Sequence, residues 1–316
     1  MSVKKSETAL AERIGRKKLR GIKYLLLAVP FLIYVFAFSY VPLVGWIYSV
    51  FDYKIGQKFL DFGSMVFVGL SNFQKLFTER SEVLRVLRNT LALSALGLLA
   101  TPVPVVFAIM FNEIKNSRFK KIVQTATTLP NFISWIIIYS IMFSLFSNDG
   151  LLTTVIRGIT GETEATTTLL TNPNTAKLFM ILTNIWKTVG YNSIIFFAAI
   201  TGIDSQLYDA AAVDGAGRWK KMLHITIPGM LPTLITLLII SIGAILNNGF
   251  EQYYVFVNPM IQEKMEVLDY YVYRIGMLNN DIPASTAVSM VKTFISVGLV
   301  FGVNKLSKKT LGQSIL

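Results

Sequence analysis

The sequence contains no cysteine and a single histidine, His224. Disulfide frameworks, thiolate nucleophiles and Cys/His zinc sites are thereby excluded. Nothing beside His224 suggests a metal or a catalytic role. No Gly-x-x-x-x-Gly-Lys-Ser/Thr pattern occurs, so the chain lacks the phosphate-cradling loop through which P-loop proteins hold ATP. Charge is scarce as well. Only 15% of the 316 residues are charged and 53% are hydrophobic, whereas soluble domains carry about 25% charged residues. The net charge of +12 does not read as a nucleic-acid footprint, because the basic residues gather at the ends of apolar blocks and not along one polar face.

What is present in quantity is long uncharged sequence. Crossing a hydrocarbon core of about 30 Å takes roughly 20 apolar residues at 1.5 Å per residue. Residues 24–50, 91–111, 122–148 and 225–250 carry no charge, while 178–203 carries only Lys187 and 284–304 only Lys292. A helix tolerates a single charge of this kind when it faces the bundle interior or snorkels. The expected fold class is therefore all-α integral membrane, with six transmembrane helices. Pro30, Pro42, Pro102 and Pro104 predict kinks within spans, where neighbouring helices re-satisfy the freed carbonyls. The first apolar run, 27 residues long, exceeds a signal-peptide core of about 7–15 residues and is read as a retained span.

Cytoplasmic loops are enriched in Lys and Arg. With the N-terminus inside, segments 1–23, 112–121, 204–230 and 305–316 hold eighteen of the 30 basic residues, against ten in the longer segments 51–90, 147–177 and 258–283. Both termini are predicted cytoplasmic. The basic segment 1–23 reads as a solvated anchor near anionic lipid or as an amphipathic surface helix, and 160–175 reads as an exposed loop.

One predicted cytoplasmic loop, about 204–230, stands out. Tyr208, Asp209, Ala210, Ala211, Ala212 and Val213 make a helical turn rich in small side chains, followed by Asp214, Gly215, Ala216 and Gly217. Glycine accepts φ > 0 and stops a helix cleanly. A second helix is expected to start near Trp219 and end by Pro228. Asp209 and Asp214 are placed to meet basic groups or to cap helix ends. Small side chains on a short helix permit close docking against a partner.

This loop resembles the EAA motif of permease subunits of ATP-binding cassette importers. Ala210 and Ala211 match its alanine pair, Asp214, Gly215 and Ala216 its central triplet, and Ile225, Ile227 and Pro228 its trailing apolar-proline element. Asp209 stands where the family has Glu and Ile227 where it has Leu. The stretch from Phe67 through Val68, Gly69, Leu70, Ser71, Asn72 and Phe73, together with Asn89-Thr90, Trp186 and Gly190, is similar to the carbohydrate-uptake branch, the maltose and lipo-oligosaccharide type. The resemblance implies a type I importer permease fold and a division into a basic segment (1–23), a first helix with its outer segment (24–84), a permease core of five helices (85–305) and a tail (306–316).

It further implies that this chain is no enzyme. It would form half of a sugar or oligosaccharide pathway with a second, distinct permease. Two ATPase subunits that hold ATP and Mg, an extracytoplasmic solute-binding protein and membrane lipid would complete the assembly, with no cofactor in this chain, no metal and no nucleic acid. Tyr208 to Gly217, with Ile225 and Pro228, would couple to the ATPase.

Sugars are held by amides, hydroxyls and aromatic faces. Pathway candidates are accordingly Asn131, Trp135, Tyr139, Asn184, Tyr191, Asn192, Asn247, Asn248, Glu251 and Tyr254, each of which is equally at home as helix-helix glue or interfacial anchor. Tyr253, Tyr254, Tyr270, Tyr271 and Tyr273 read as an outer aromatic belt. Lys187 and Lys292 suit an acidic oligosaccharide, but pairing with Glu251 or reaching an interface is the plainer expectation. The alternative to an importer is an ion-coupled secondary transporter. That reading needs an embedded carboxylate relay, and only Glu251 is near such a position. An integral-membrane enzyme would need clustered His, Asp or Glu at a membrane face.

Overall fold

The computed structural model describes residues 21–57, 61, 63, 65–78, 80–160 and 169–311. Most of the basic segment 1–23, part of the expected loop 160–175 and the last five residues lie outside the described residues. The elements are α1 (Gly21–Val50), a two-residue antiparallel ribbon of β1 (Phe51–Asp52) and β2 (Val66–Phe67), then α2 (Ser71–Thr78), α3 (Arg80–Leu99), α4 (Pro102–Asn112), α5 (Ser117–Thr128), α6 (Trp135–Phe146), α7 (Leu151–Thr160), α8 (Ala176–Thr201), α9 (Ser205–Val213), α10 (Arg218–Lys221), α11 (Ile227–Gly243), α12 (Phe250–Phe256), α13 (Gln262–Met265), α14 (Leu268–Tyr273) and α15 (Ile282–Leu311). The segment 306–311, expected as tail, continues α15.

Five helical stretches are long and apolar enough to cross a membrane: Gly21–Val50, Arg80–Asn112, Trp135–Ile159, Arg218–Gly243 and Ile282–Lys309. Among these, α1 leaves Leu25, Leu27, Phe31 and Phe38 more than 60% exposed, as expected of a surface met by lipid or another subunit. Helix α8 is not one of the five. Its 26 residues reach about 39 Å, but Asn184, Lys187, Thr188, Asn192 and Ser193 interrupt its apolar run.

Two expected spans are displaced. The uncharged run 122–148 is no single helix: α5 ends at Thr128, a 3-10 turn covers Leu129–Phe132, and α6 starts afresh with Ser134 as its N-cap. The run 225–250 likewise divides, because α11 stops at Gly243 and α12 begins after Gly249, whose φ of 82° only glycine adopts freely. The expected kinks occur at Pro42, where a π turn passes into 3-10 helix, and at Pro102, where α3 gives way to α4, whereas Pro30 sits in regular helix.

The break in the third apolar run is closed by α8. Lys187 Nζ donates to the carbonyls of Pro130 (3.2 Å), Asn131 (3.1 Å) and Ile133, and lies 5.2 Å from the centre of the Trp135 ring. Lys292 pairs with Asp269. Neither lysine pairs with Glu251, which is exposed; the expectation missed partners that only the folded chain brings near. Three residues beyond Lys187, Gly190 lets α8 touch the α5 backbone: a Cβ there would lie 2.2 Å from the Thr127 carbonyl oxygen.

Three apolar clusters fill the interior, one among α6, α8, α12 and α13, one joining α3, α14 and α15, and one between α4, α8 and α11. Tyr253 and Tyr271 belong to these cores, at 3% and 1% exposure, so the expected outer belt of five tyrosines is reduced. Tyr254 and Tyr273 do remain together, in edge contact at 5.3 Å.

At one end an ion network joins α3 to the segment around α14. Glu266 is fully buried and receives Arg85 Nη2 at 2.8 Å and Arg274 Nε at 2.5 Å, while Arg274 Nη2 also reaches Glu82 at 2.5 Å. Burial alone would lower the Arg274 guanidinium, but Glu266 and then Glu82 hold it above its ordinary value. Asn89 and Thr90 bind the same segment: Asn89 Nδ2 donates to the Glu263 and Glu266 carbonyls, and Thr90 Oγ1 accepts from Leu268 N. Asn72 secures α2 to the end of α1 by donating to the Ser49 and Phe51 carbonyls.

Two stability predictions follow from these contacts. Gly190→Ala forces α8 from α5 and is expected to cost about 1–3 kcal/mol, the usual penalty of overpacking. Gly298→Ala, inside α15 where a Cβ meets nothing within 4 Å, leaves the thermal transition of the solubilised protein no lower, since alanine favours helix over glycine; equal transitions for the two variants would refute the close-contact account. Glu266→Gln removes the buried carboxylate that Arg85 and Arg274 share, leaves both to the half-exposed Glu82, and is expected to cost about 3 kcal/mol. Glu82→Gln, at a carboxylate 35% exposed, costs less, an order that denaturant or thermal scans of both variants can reverse.

Candidate functional site: an exposed hairpin and an amide-lined cavity

The hairpin between α8 and α11 is built by local rules. Asp204, and not Asp209 or Asp214, caps α9: its Oδ1 accepts Gln206 N at 2.9 Å. At the far end Ala216 N donates to Ala211 O at 2.8 Å and Gly215 N to Ala212 O at 3.1 Å, the pair of bonds of a Schellman cap. That cap places Asp214 as the last half-helical residue and Gly215 at φ 71°. No atom lies within 4 Å of where a Gly215 Cβ would stand, so within this chain glycine is required there by backbone conformation and not by packing.

Gly217 is the N-cap of α10. The second helix does not end by Pro228. A π turn, Met222–Thr226, joins α10 to α11, and Pro228 lies in the first turn of α11, where a missing N–H leaves no bond unmade. Tyr208 Oη meets Thr226 Oγ1 at 2.9 Å and fixes α9 on this turn. Ile225 is half-buried, and Asp209, Ala210, Asp214, Gly215, Gly217 and Pro228 are exposed. Val213 and Trp219 project at 89% and 75% exposure.

A second feature lies between α3, α4, α8 and α11. Two adjoining cavities of about 250 and 260 Å³ share Gly97, Thr101, Ile181, Asn184 and Ser241. The first also takes in Thr188 and Asn192, and the second Ser94, Asn247, Asn248 and Gln252. Asn184 Nδ2 donates to Gln252 Oε1 at 3.3 Å, Gln252 Nε2 to Met180 O at 3.0 Å, and Asn248 Nδ2 to Ser94 Oγ at 2.9 Å. Asn248 N donates to Asp269, itself held by Lys292.

Of the ten pathway candidates, the fold gathers Asn184, Asn192, Asn247 and Asn248 on these walls. The other six lie elsewhere. Asn131 belongs to the turn that receives Lys187, Trp135 and Tyr139 pack edge-on to Phe256, Tyr191 meets Phe132, Glu251 is exposed, and Tyr254 stacks with Phe250 at 5.0 Å. Gln252, Ser94, Thr101, Thr188 and Ser241 were not anticipated. Only the spacing of Thr188 relative to Asn184 and Asn192, four residues in each direction along α8, announced one of them.

Among the described residues no group of three or more His, Asp or Glu suits a metal ion. The arrangement offers hydrogen-bonding groups inside the bundle and an exposed hairpin of small residues with Val213 and Trp219 at one end.

Residues 100–308 match the profile of the binding-protein-dependent transport system inner membrane component family. The chain is 41% identical over 295 residues to the polygalacturonan/rhamnogalacturonan transport system permease protein YteP of Bacillus subtilis (strain 168), covering 92% of this chain and 90% of that one. It is 37% identical over 286 residues to protein LplB of the same organism, covering 90% and 88%. Among solved structures, a chain of a bacterial alginate ABC transporter, in complex with a periplasmic protein bound to alginate pentasaccharide, superposes with a TM-score of 0.81 at 30% identity, covering 94% of this chain and 98% of that one. With the matched region taking in both the cavity walls of α8 and α11 and the capped hairpin, the chain belongs to the family of inner membrane components of binding-protein-dependent transport systems.

Proposed function

We propose that this chain is the permease subunit of an ATP-driven, binding-protein-dependent importer of oligosaccharides, acidic ones in particular, and forms half of the translocation pathway in a bacterial cell membrane. The observation that carries the reading is the hairpin of α9 and α10. It is an exposed, Schellman-capped docking element in a chain with no ATP-binding loop of its own. Support for the substrate class comes from relatives named for polygalacturonan and rhamnogalacturonan and from the alginate transporter.

This chain then has six spans, α8 included, with both termini in the cytoplasm, and the full assembly adds a second and distinct permease, two ATPase subunits carrying ATP and Mg, and a solute-binding protein outside. The hairpin residues Tyr208 to Gly217 sit in the ATPase. Because α10 runs without interruption through the π turn into α11, a push on the hairpin reaches Leu237 and Ser241 on the cavity wall as rigid-body motion of one helix. ATP shifts the equilibrium only so far as the ATPase dimer binds the hairpin differently in its open and closed forms. Asn184, Asn192, Asn247, Asn248 and Gln252 supply hydrogen bonds to sugar hydroxyls.

Co-purification and transport test both parts. The ATPase subunits are expected to co-purify with the wild-type chain. Gly215→Val, which forces a β-branched residue to φ 71° at about 1–3 kcal/mol, is expected to lose ATP-dependent uptake while remaining inserted, and full uptake with the ATPase retained would reject the coupling role. Asn184→Leu is expected to raise KM for uptake about fivefold, the loss of one net hydrogen bond, with the ATPase still bound. An unaltered KM would remove Asn184 from the pathway.

A further inference from the structure

We propose that Arg88, Lys177 and Lys264 form a receiving site for the carboxylates of an incoming acidic oligosaccharide. The site lies at the end of α8 remote from the hairpin. The inference rests on the reading of the chain as an oligosaccharide importer and adds to it a place where uronate charge is first recognised.

Position comes first. Lys177 stands in the first turn of α8 and α9 follows its last, so about 39 Å of helix separates the cations from the hairpin. If the hairpin faces the ATPase, the cations face the side from which solute arrives. Lys177 also continues the cavity-lining stripe of α8. Residues 177, 181, 184, 188 and 192 recur at intervals of three or four and therefore share one face, and Ile181, Asn184, Thr188 and Asn192 all line the cavity. The ammonium is the outermost member of that row.

Asn89 and the Glu263 backbone tie the three positions together. Lys177 Nζ donates to Asn89 Oδ1 at 3.2 Å, Asn89 Nδ2 donates to Glu263 O at 2.9 Å, and Lys264 Nζ donates to Asn174 Oδ1 at 2.8 Å. Arg88 adjoins Asn89 in the chain and lines an open cavity of about 670 Å³ with Arg85, Glu82 and Glu263. Amide oxygens thus anchor both lysines, and no carboxylate pairs with Arg88, Lys177 or Lys264 among the described residues. Three other positive charges on this end do have carboxylate partners: Arg85 and Arg274 pair with Glu266 and Glu82, and Lys75 with Asp281. Glu82 is committed to Arg274, which leaves Glu263 as the carboxylate of that cavity with no ion pair among the described residues.

Half-buried Lys177 is lowered from its ordinary value, by burial first and then by Arg88 and Lys264. Arg88 and Lys264 are exposed beside it, so an arriving anion reaches all three and relieves the mutual repulsion of the empty site. A row of carboxylates spaced along a sugar polymer fits such a set, and the hydroxyls between them suit the amides further in.

The test uses the whole complex, purified with its second permease and ATPase subunits, in lipid nanodiscs. ATP hydrolysis is titrated with the solute-binding protein loaded with tetragalacturonate. The double variant Arg88→Gln/Lys177→Gln is expected to raise the half-saturating concentration about tenfold, the loss of charge-assisted hydrogen bonds, while Lys177→Arg keeps the wild-type value. Equal half-saturation for wild type and the double variant overturns the proposal and leaves the importer reading standing. An equal loss of affinity for the unloaded binding protein also overturns it, by assigning the cations to acidic side chains of that partner. If the wild-type complex does not respond to tetragalacturonate at all, the acidic-substrate reading and this inference fall together.

Discussion

The ammonium of Lys187, set among the carbonyls of Pro130, Asn131 and Ile133, is the contact on which the arrangement of helices depends. Hydrocarbon solvates no backbone, so a helix that breaks inside an apolar bundle must find its hydrogen-bond partners within the protein. The turn between α5 and α6 exposes carbonyls, and a donor from α8 meets them. One turn further along α8, Gly190 removes the side chain that would keep the two backbones apart. Charge and close approach together fix α8 against the break, and the opposite requirement, a lysine without a carboxylate, is met by the same carbonyls and by the Trp135 face.

With one face of α8 fixed in this way, its next face is free to carry Asn184, Thr188 and Asn192 toward the cavity. Helix α11 supplies the facing wall with Leu237 and Ser241, and the irregular segment after it, 244–249, is held by Asp269, which Lys292 in turn neutralises. The hairpin hangs from these two helices. Gly229 brings α11 against Ile203 at the foot of α8, so the hairpin and the cavity are parts of the same pair of helices. This gives a physical route for the proposed coupling: rigid elements sharing a tight foot, with the exposed Val213 and Trp219 at one end and hydrogen-bonding groups along the shaft.

Much of this was legible in the residues. Uncharged runs announced the bundle because burial in lipid penalises charge wherever it falls, and the helix stop at Gly215 was readable because only glycine takes that φ without cost. The break at residues 129–134 was not legible. Pro130 looks no different in sequence from Pro30, which lies in unbroken helix, and the distinction comes from Lys187, more than fifty residues away. Nor could the tyrosines be sorted: Tyr253 and Tyr254 are neighbours in the chain, yet one is in the core and the other stands near half exposure. Gln252 escaped notice for the same reason, since its role comes from Asn184 and Met180 on another helix.

The sequence by itself determined the solvent of this protein, the positions of most of its apolar helices and the helix stop at Gly215 in the exposed hairpin, all of which follow from side-chain transfer energies and from backbone preferences within a few residues. Tertiary structure decided where the helices break, which buried charges pair, and which four of ten polar candidates share a cavity. Those outcomes depend on contacts between segments distant in the chain, and neither hydropathy nor local conformational preference carries information about such contacts.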